Sequence, residues 1–148
     1  MDIYTGDIIA MYSSPSYDPN LFLFGISQDE WELIRNNPLK PLIHKTISGL
    51  YSPGSTIKPI VALSALENNI INPNFKVKCT GKTELYGQTF HCWKEKGHGF
   101  VSLKNAMKQS CDTYFYEVAR LLGVDRLNVT AKKFGLGDKV LGDYFDNE

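Results

Sequence analysis

The sequence predicts an α+β fold in which an N-terminal β-hairpin packs on a mostly helical part. Residues 1–12 contain two apolar segments around a glycine-containing turn, which is typical of a hairpin. Apolar residues recur at helical spacing in three later stretches, at about 55–69, 102–109 and 112–122. Residues 72–99 are rich in Gly, Lys and Thr and indicate a long loop with short strands.

Length and composition indicate one globular domain and exclude several kinds of protein. The chain has 148 residues, of which 43% are hydrophobic, enough for a sizeable core. Its net charge is zero and no long basic run is present, which argues against a nucleic-acid partner. No apolar stretch approaches the roughly 18 residues of a membrane helix. Because both ends look cut, we expect a piece of a larger protein.

Two helices have recognisable starts. Ser27 and Glu30 form a capping-box pattern at the start of a short helix. The central helix should begin near Ser55, because Pro59 is tolerated only in a first helical turn. This helix is apolar on nearly all sides and is therefore expected to be buried. Ser55 and Lys58 then lie where a central helix meets the surface.

The pair Ser55 and Lys58 is a candidate for nucleophilic catalysis. Residues three apart share one helix face, so a serine at the helix start has an amine one turn away. The positive end of the helix also favours developing negative charge. The alternative is that Ser55 is an ordinary helix cap after Pro53 and Gly54, since Ser-x-x-Lys often occurs by chance.

A second candidate segment is Ser110, Cys111 and Asp112, which interrupts two helical patterns. Side chains in such a break can point into a cleft, and the Ser110 hydroxyl can relay a proton there. The alternative is a plain turn between helices, with Asp112 as the cap of the second helix.

Together these motifs resemble one family. Residues 55–58, Ser-Thr-Ile-Lys between Pro-Gly and Pro, are similar to the first motif of penicillin-binding transpeptidases. Residues 110–112, Ser-Cys-Asp, resemble their second motif, with Asp where Asn is commoner. Residues 5–11 with 14–20 resemble the first hairpin of that domain. Residues 20–22, 92–94 and 97–99 resemble the penicillin-binding protein 2 branch, the class B enzymes of cell elongation. The resemblance implies the penicillin-binding transpeptidase and serine β-lactamase-like fold, here incomplete.

The resemblance also implies a role for each motif residue. Ser55 would attack the penultimate D-alanine carbonyl of a peptidoglycan stem peptide, with Lys58 as its general base. Ser110 would pass the proton to the departing D-alanine, and Asp112 would position Lys58 and the substrate. An acceptor amine from a second stem peptide would resolve the acyl-enzyme, and β-lactam antibiotics would be trapped at Ser55.

One departure from the family limits the expected activity. The third family motif, Lys-Thr-Gly on an edge strand, does not occur, because Lys82 and Thr83 are followed by Glu84 and lie between the first two motifs. In the family that strand supplies an oxyanion-hole donor, and losing one such donor can cost about 100- to 1,000-fold in rate. We therefore expect residues 1–148 to be a partial transpeptidase domain that is inactive by itself.

The three cysteines and one histidine form a candidate metal set. Cys79, Cys92, His98 and Cys111 follow the pattern C-x12-C-x5-H-x12-C, and three thiolates with one imidazole make a closed tetrahedral zinc site. Such a site would staple the long loop, and the resemblance adds that penicillin-binding protein 2 sequences look as if they carry zinc ligands here. The alternatives are a disulfide between Cys79 and Cys92, which leaves Cys111 unpaired, or three free thiols.

The leading interpretation is a serine acyltransferase that cross-links peptidoglycan stem peptides. The alternatives are a zinc-stabilised β-lactam-binding or sensor module without turnover, and a serine β-lactamase, although the hydrolytic water site of such an enzyme is not visible. The resemblance implies the periplasmic side of the bacterial inner membrane, with the anchor outside these residues. It also implies membrane proteins of the elongation machinery as partners.

Overall fold

The computed structural model describes residues 1–138, and its mixture of helices and short strands confirms the α+β class. The α-helices are α1 Gln28–Arg35, α2 Lys45–Ser48, α3 Lys58–Glu67, α4 Leu103–Lys108, α5 Asp112–Leu122 and α6 Val124–Lys133. The strands are β1 Lys76–Cys79, β2 Lys82–Leu85, β3 Gln88–His91 and β4 Gly99–Ser102. Short 3-10 turns cover Pro19–Phe22 and Gly54–Ile57. No described helix is both long and apolar enough to span a bilayer.

The first of two structural units, Met1–Ser52, contains the predicted capping box. The N–H of Glu30 donates to the Ser27 hydroxyl at 3.3 Å, and the N–H of Ser27 donates to the Glu30 carboxylate at 3.2 Å. Two N–H groups that have no partner inside helix α1 are thus satisfied by neighbouring side chains.

The N-terminal β-hairpin prediction is wrong in its strands. Residues 1–12, all of them described, form a turn but no strand. The N–H of Asp2 donates to the carbonyl of Asp7 at 2.8 Å, and the Asp2 carboxylate accepts from the N–H groups of Tyr4 and Thr5 at 2.7 and 3.0 Å. These local bonds satisfy N–H groups in residues 2–7 without a ladder. A two-stranded hairpin with no further strand beside it is only marginally stable.

The second unit begins at Pro53 and holds every predicted site residue. Helix α3 packs against α5 and α6, and α5 also packs on β1. The described strands form two antiparallel pairs, β1 with β4 and β2 with β3, so Cys79 faces Gly99 and Lys82 faces His91 across the ladders. The core between these elements includes fully buried side chains from three helices: Ala65, Ala106, Tyr114, Val118 and Leu122.

The central helix starts three residues later than predicted. Helix α3 begins at Lys58, with Pro59 in its first turn, and the preceding 3-10 turn Gly54–Ile57 carries Ser55. The N–H of Lys58 donates to the carbonyl of Ser55, which is the bond of a 3-10 turn. Side chains three residues apart eclipse in this conformation. Ser55 and Lys58 therefore share a face, as expected, although Ser55 lies outside the α-helix.

Candidate active site and metal centre

Ser110 lies at a strained position in the break between α4 and α5. The N–H of Cys111 donates to the carbonyl of Ala106 at 2.9 Å, and the N–H of Ser110 donates to that of Met107 at 3.2 Å. These two bonds define a Schellman motif, in which one residue is left-handed and is usually glycine. Here that residue is Ser110, with φ of 50°. Non-glycine residues held in this region cluster at functional sites.

The structure brings the four predicted catalytic residues into one hydrogen-bonded chain. Lys58, which is 8% exposed, donates from Nζ to the Ser110 carbonyl at 2.9 Å, to Ser110 Oγ at 3.0 Å and to Asp112 Oδ1 at 2.6 Å. Ser110 Oγ in turn donates to Ser55 Oγ at 3.0 Å. None of the hydrogen bonds among residues 1–138 joins Lys58 Nζ directly to Ser55 Oγ. The two predicted partners are therefore connected through Ser110.

One interpretation of the sequence made Asp112 the N-cap of α5, and the structure contradicts it. Cys111 occupies the cap position and Asp112 is the first helical residue. The Asp112 carboxylate instead accepts from Lys58 and, through Oδ2, from the backbone N–H of Trp93 at 3.0 Å. Burial by itself raises the pKa of this carboxyl, but the hydrogen bonds from Lys58 and Trp93 outweigh burial, and the pKa is lowered. Asp112 is thus held as the anionic partner of Lys58.

A cavity of about 440 Å³ opens beside Ser55 and Lys58. Its walls are mainly apolar side chains from three helices and the turn before α3, namely Ile57, Val61, Phe115, Ala119 and Leu127. The Phe115 ring also lies under the amine, with its centroid 5.7 Å from Lys58 Nζ. Apolar walls around a charged pair limit the access of water and strengthen the electrostatic interactions inside.

The strained turn gives a first testable prediction. Ser110→Gly and Ser110→Ala both remove the hydroxyl, but only glycine adopts a φ of 50° freely. We expect Ser110→Gly to be more stable than Ser110→Ala by about 1 kcal/mol, as measured by chemical denaturation. Equal stability of the two variants would contradict a strained Ser110.

The predicted metal-binding side chains also converge. The ligand atoms of Cys79, Cys92, His98 and Cys111 all lie within 4.8 Å of one another. His98 Nδ1 is 3.6 Å from the sulfurs of both Cys79 and Cys92, close to the roughly 3.5 Å that a tetrahedral zinc site with ordinary bond lengths requires. All three thiols are buried and none is in a disulfide. His98 Nε2 is buried with no hydrogen-bond partner in the described part of the chain.

The surroundings shift the pKa values of Cys79 and Cys111 in opposite directions. Burial raises the pKa of Cys79, but hydrogen bonds with Thr113, His98 and the N–H of Gly81 outweigh it and lower the pKa to about 6. Burial, assisted by the sulfurs of Cys79 and Cys92, raises the pKa of Cys111 to about 12. Cys79 therefore ionises more readily than Cys111.

The predicted catalytic residues and the candidate metal ligands lie on the same short segments of chain. Cys111 lies between Ser110 and Asp112, and Cys92 directly precedes Trp93, whose N–H holds the Asp112 carboxylate. Sequence reasoning missed Trp93, because a contact across 19 residues leaves no local pattern. Its place beside a predicted metal ligand, in a stretch that resembles the family, was the available signal.

The family model and the relatives that match this chain describe transpeptidases. Residues 1–146 match the family described as penicillin binding protein transpeptidase domain. A relative from Acinetobacter baumannii, peptidoglycan D,D-transpeptidase MrdA, is 40% identical over 141 residues, which cover 94% of this chain and 21% of the relative. The chain thus spans about a fifth of that relative's length.

Solved structures of similar proteins have the same fold. Pseudomonas aeruginosa PBP2, in complex with WCK 5153, has a TM-score of 0.80 and 45% identity over 92% of this chain and 30% of its own. Helicobacter pylori PBP2, in a complex with MreC, has a TM-score of 0.77 and 35% identity over 86% and 24%. Penicillin-binding protein A of M. tuberculosis, solved as a penicillin G acyl-enzyme complex, has a TM-score of 0.79 and 31% identity over 95% and 34%. The chain therefore belongs to the penicillin-binding protein transpeptidase domain family.

Proposed function

We propose that this chain carries the nucleophile of a peptidoglycan D,D-transpeptidase that is also acylated by penicillin. The observation that supports this most is the chain of hydrogen bonds from Ser55 through Ser110 to Lys58 and Asp112, with distances of 3.0, 3.0 and 2.6 Å. The relatives named peptidoglycan D,D-transpeptidase and the penicillin G acyl-enzyme of a similar structure support the same chemistry.

The proposed first step is acylation of Ser55. When Lys58 is neutral, its lone pair can accept from Ser110 Oγ, and Ser110 Oγ can then accept from Ser55, since hydroxyl hydrogens rotate. As Ser55 Oγ attacks the penultimate D-alanine carbonyl, its proton thus moves through Ser110 to Lys58. The proton returns through Ser110 to the nitrogen of the departing D-alanine as the peptide bond breaks. The product is an ester between Ser55 and the stem peptide.

The second step transfers the acyl group to an acceptor amine. The amine of a second stem peptide attacks the ester, a new amide forms, and Ser55 recovers its proton as it leaves. A β-lactam follows only the first step, because the cleaved ring amide leaves its nitrogen attached to the acyl group. These 148 residues contain no Lys-Thr-Gly, so we propose that turnover needs a strand that this chain does not supply.

We further propose that Cys79, Cys92, His98 and Cys111 hold one structural Zn²⁺. Four protein ligands fill a tetrahedral site, so the ion would cross-link β1, the segment between β3 and β4 and the start of α5. The arrangement of ligand atoms supports this proposal, as does the absence of any disulfide among the three cysteines. Through Cys111, such an ion would fix the segment that bears Ser110.

We propose that the protein acts at the periplasmic side of the bacterial inner membrane. Peptidoglycan synthesis, the chemistry named for its relatives, supports this location. The complex of a similar PBP2 with MreC supports membrane-associated elongation proteins as partners.

The proposed function predicts a covalent penicillin adduct on Ser55. In the intact protein, incubation with penicillin G should add the mass of one penicillin molecule, and peptide mapping should place it at Ser55. Ser55→Ala should remove the adduct, whereas Ser64→Ala, a serine that is fully buried on the same helix as Lys58, should not. Rapid hydrolysis of the adduct would favour a β-lactamase, and an adduct without stem-peptide cross-linking would favour a sensor. No adduct at all would contradict the proposal.

A further inference from the structure

Trp93 directs both of its N–H donors at the segment that carries the second motif. Its backbone N–H donates to Asp112 Oδ2 at 3.0 Å, and its indole Nε1–H donates to the carbonyl of Gln109 at 3.0 Å. The residue thus contacts both ends of the segment 109–112. Trp93 is nevertheless 64% exposed, so burial does not account for its placement.

One of these hydrogen bonds constrains Ser110 and the other constrains Asp112, and both residues contact Lys58. The carbonyl of Gln109 belongs to the peptide unit that precedes Ser110, so holding it restrains the rotation that defines φ of Ser110. That φ is 50°, a conformation that needs support from its surroundings. The bond to Oδ2 fixes the orientation of the Asp112 carboxylate, so Oδ1 remains 2.6 Å from Lys58 Nζ.

The Trp93 ring lies on the candidate metal centre as well. Its centroid is 5.3 Å from that of His98, in an edge-to-face arrangement, and its neighbour Cys92 is a proposed ligand. The one residue therefore contacts the loop of the metal set, the strained turn and the carboxylate partner of Lys58.

We propose that Trp93 is a positioning residue for the serine–lysine site, acting by holding the Gln109 carbonyl and the Asp112 carboxylate. This inference rests on the proposed acylation of Ser55. Trp93 touches neither Ser55 nor Lys58 through a described hydrogen bond, so it acts through the second motif. Its loss should slow the chemical step of acylation and leave the binding of the β-lactam unchanged.

The test separates binding from chemistry in the intact protein. Stopped-flow measurement with a fluorescent penicillin gives the acylation rate constant k2 and the dissociation constant Ks of the preceding noncovalent complex. Trp93→Phe keeps the ring on His98 and the backbone N–H but removes the indole N–H. We expect k2 to fall about tenfold, the effect of one well-made hydrogen bond, with Ks within about twofold of wild type. Trp31→Phe, the other tryptophan, is the matched control and should change neither constant.

The outcomes distinguish this inference from the proposed function. If wild-type protein forms no adduct at Ser55, the proposed function fails. If wild type is acylated and Trp93→Phe has the same k2, or a raised Ks with unchanged k2, the role of Trp93 is wrong. Should Trp93→Phe fail to fold, the indole N–H signal of Trp93 in wild-type protein decides the question. We expect it to resist hydrogen exchange and to shift when Ser55 is acylated, and rapid exchange with no shift would overturn the inference.

Discussion

Replacement of Lys58 by alanine is expected to lower the rate of penicillin acylation at Ser55 by about 1,000-fold or more, within the range for loss of a general base. Lys58 is the one amine hydrogen-bonded to Ser110 among the described residues, and it reaches Ser55 through that hydroxyl. Without it, the Ser55 proton has no acceptor along this chain. The measurement is k2 for a fluorescent penicillin in the intact protein, with thermal unfolding of each variant recorded in parallel.

Lys58→Arg is the matched control for charge. Arginine keeps the positive charge beside Asp112 but does not lose its proton at any pH at which proteins are studied. We expect it to be as inactive as the alanine variant if Lys58 is a base, and partly active if the lysine contributes only charge. Stability should change little in either variant, because the Asp112 side chain is 23% exposed and keeps its hydrogen bond from Trp93. Acylation by Lys58→Ala at a rate comparable to wild type would show that the base is another group.

The sequence predicts the members of the site better than their connections. Ser55 and Lys58 are three residues apart, so any helical turn places them on one face, whether α or 3-10. The approach of Ser110 and Asp112 to Lys58 spans more than 50 residues, and only the family resemblance indicated it. The relay of hydrogen bonds through Ser110 depends on its left-handed conformation, which a serine does not signal.

The same contrast between local and long-range contacts explains which local-structure predictions were confirmed and which were wrong. The capping box at Ser27 is predictable because both of its bonds join residues three apart. The hairpin in residues 1–12 depends on cross-strand pairing, and the Asp2 side chain competes with it for nearby N–H groups. Asp112 has the residue type of a helix cap, but the lysine is a stronger partner for its carboxylate than a backbone N–H.

Removal of metal is expected to unfold the strands and loops around the four ligands. Structural zinc in small domains has an apparent binding free energy of about 10–16 kcal/mol, which is as large as the whole free energy of unfolding of a typical domain. Native mass spectrometry should therefore find one zinc per chain, lost on denaturation to leave three thiols. A strong chelator should lower the midpoint of thermal unfolding by about 10 °C or more and make all three cysteines reactive.

Two histidines allow a matched comparison for the metal prediction. His98→Ala removes a proposed ligand and should abolish stoichiometric zinc, whereas His91→Ala changes an exposed side chain next to Cys92 and should retain it. Because Cys111 joins Ser110 to Asp112, the His98 variant should also lose penicillin acylation even where some fold remains. A metal-free protein with a disulfide between Cys79 and Cys92 would have a mass about 2 Da lower and would contradict the zinc site, since those sulfurs would then no longer be ligands. Three free thiols with an unchanged unfolding midpoint would contradict it equally, and the register of the second motif would then depend on Trp93 and the Schellman turn.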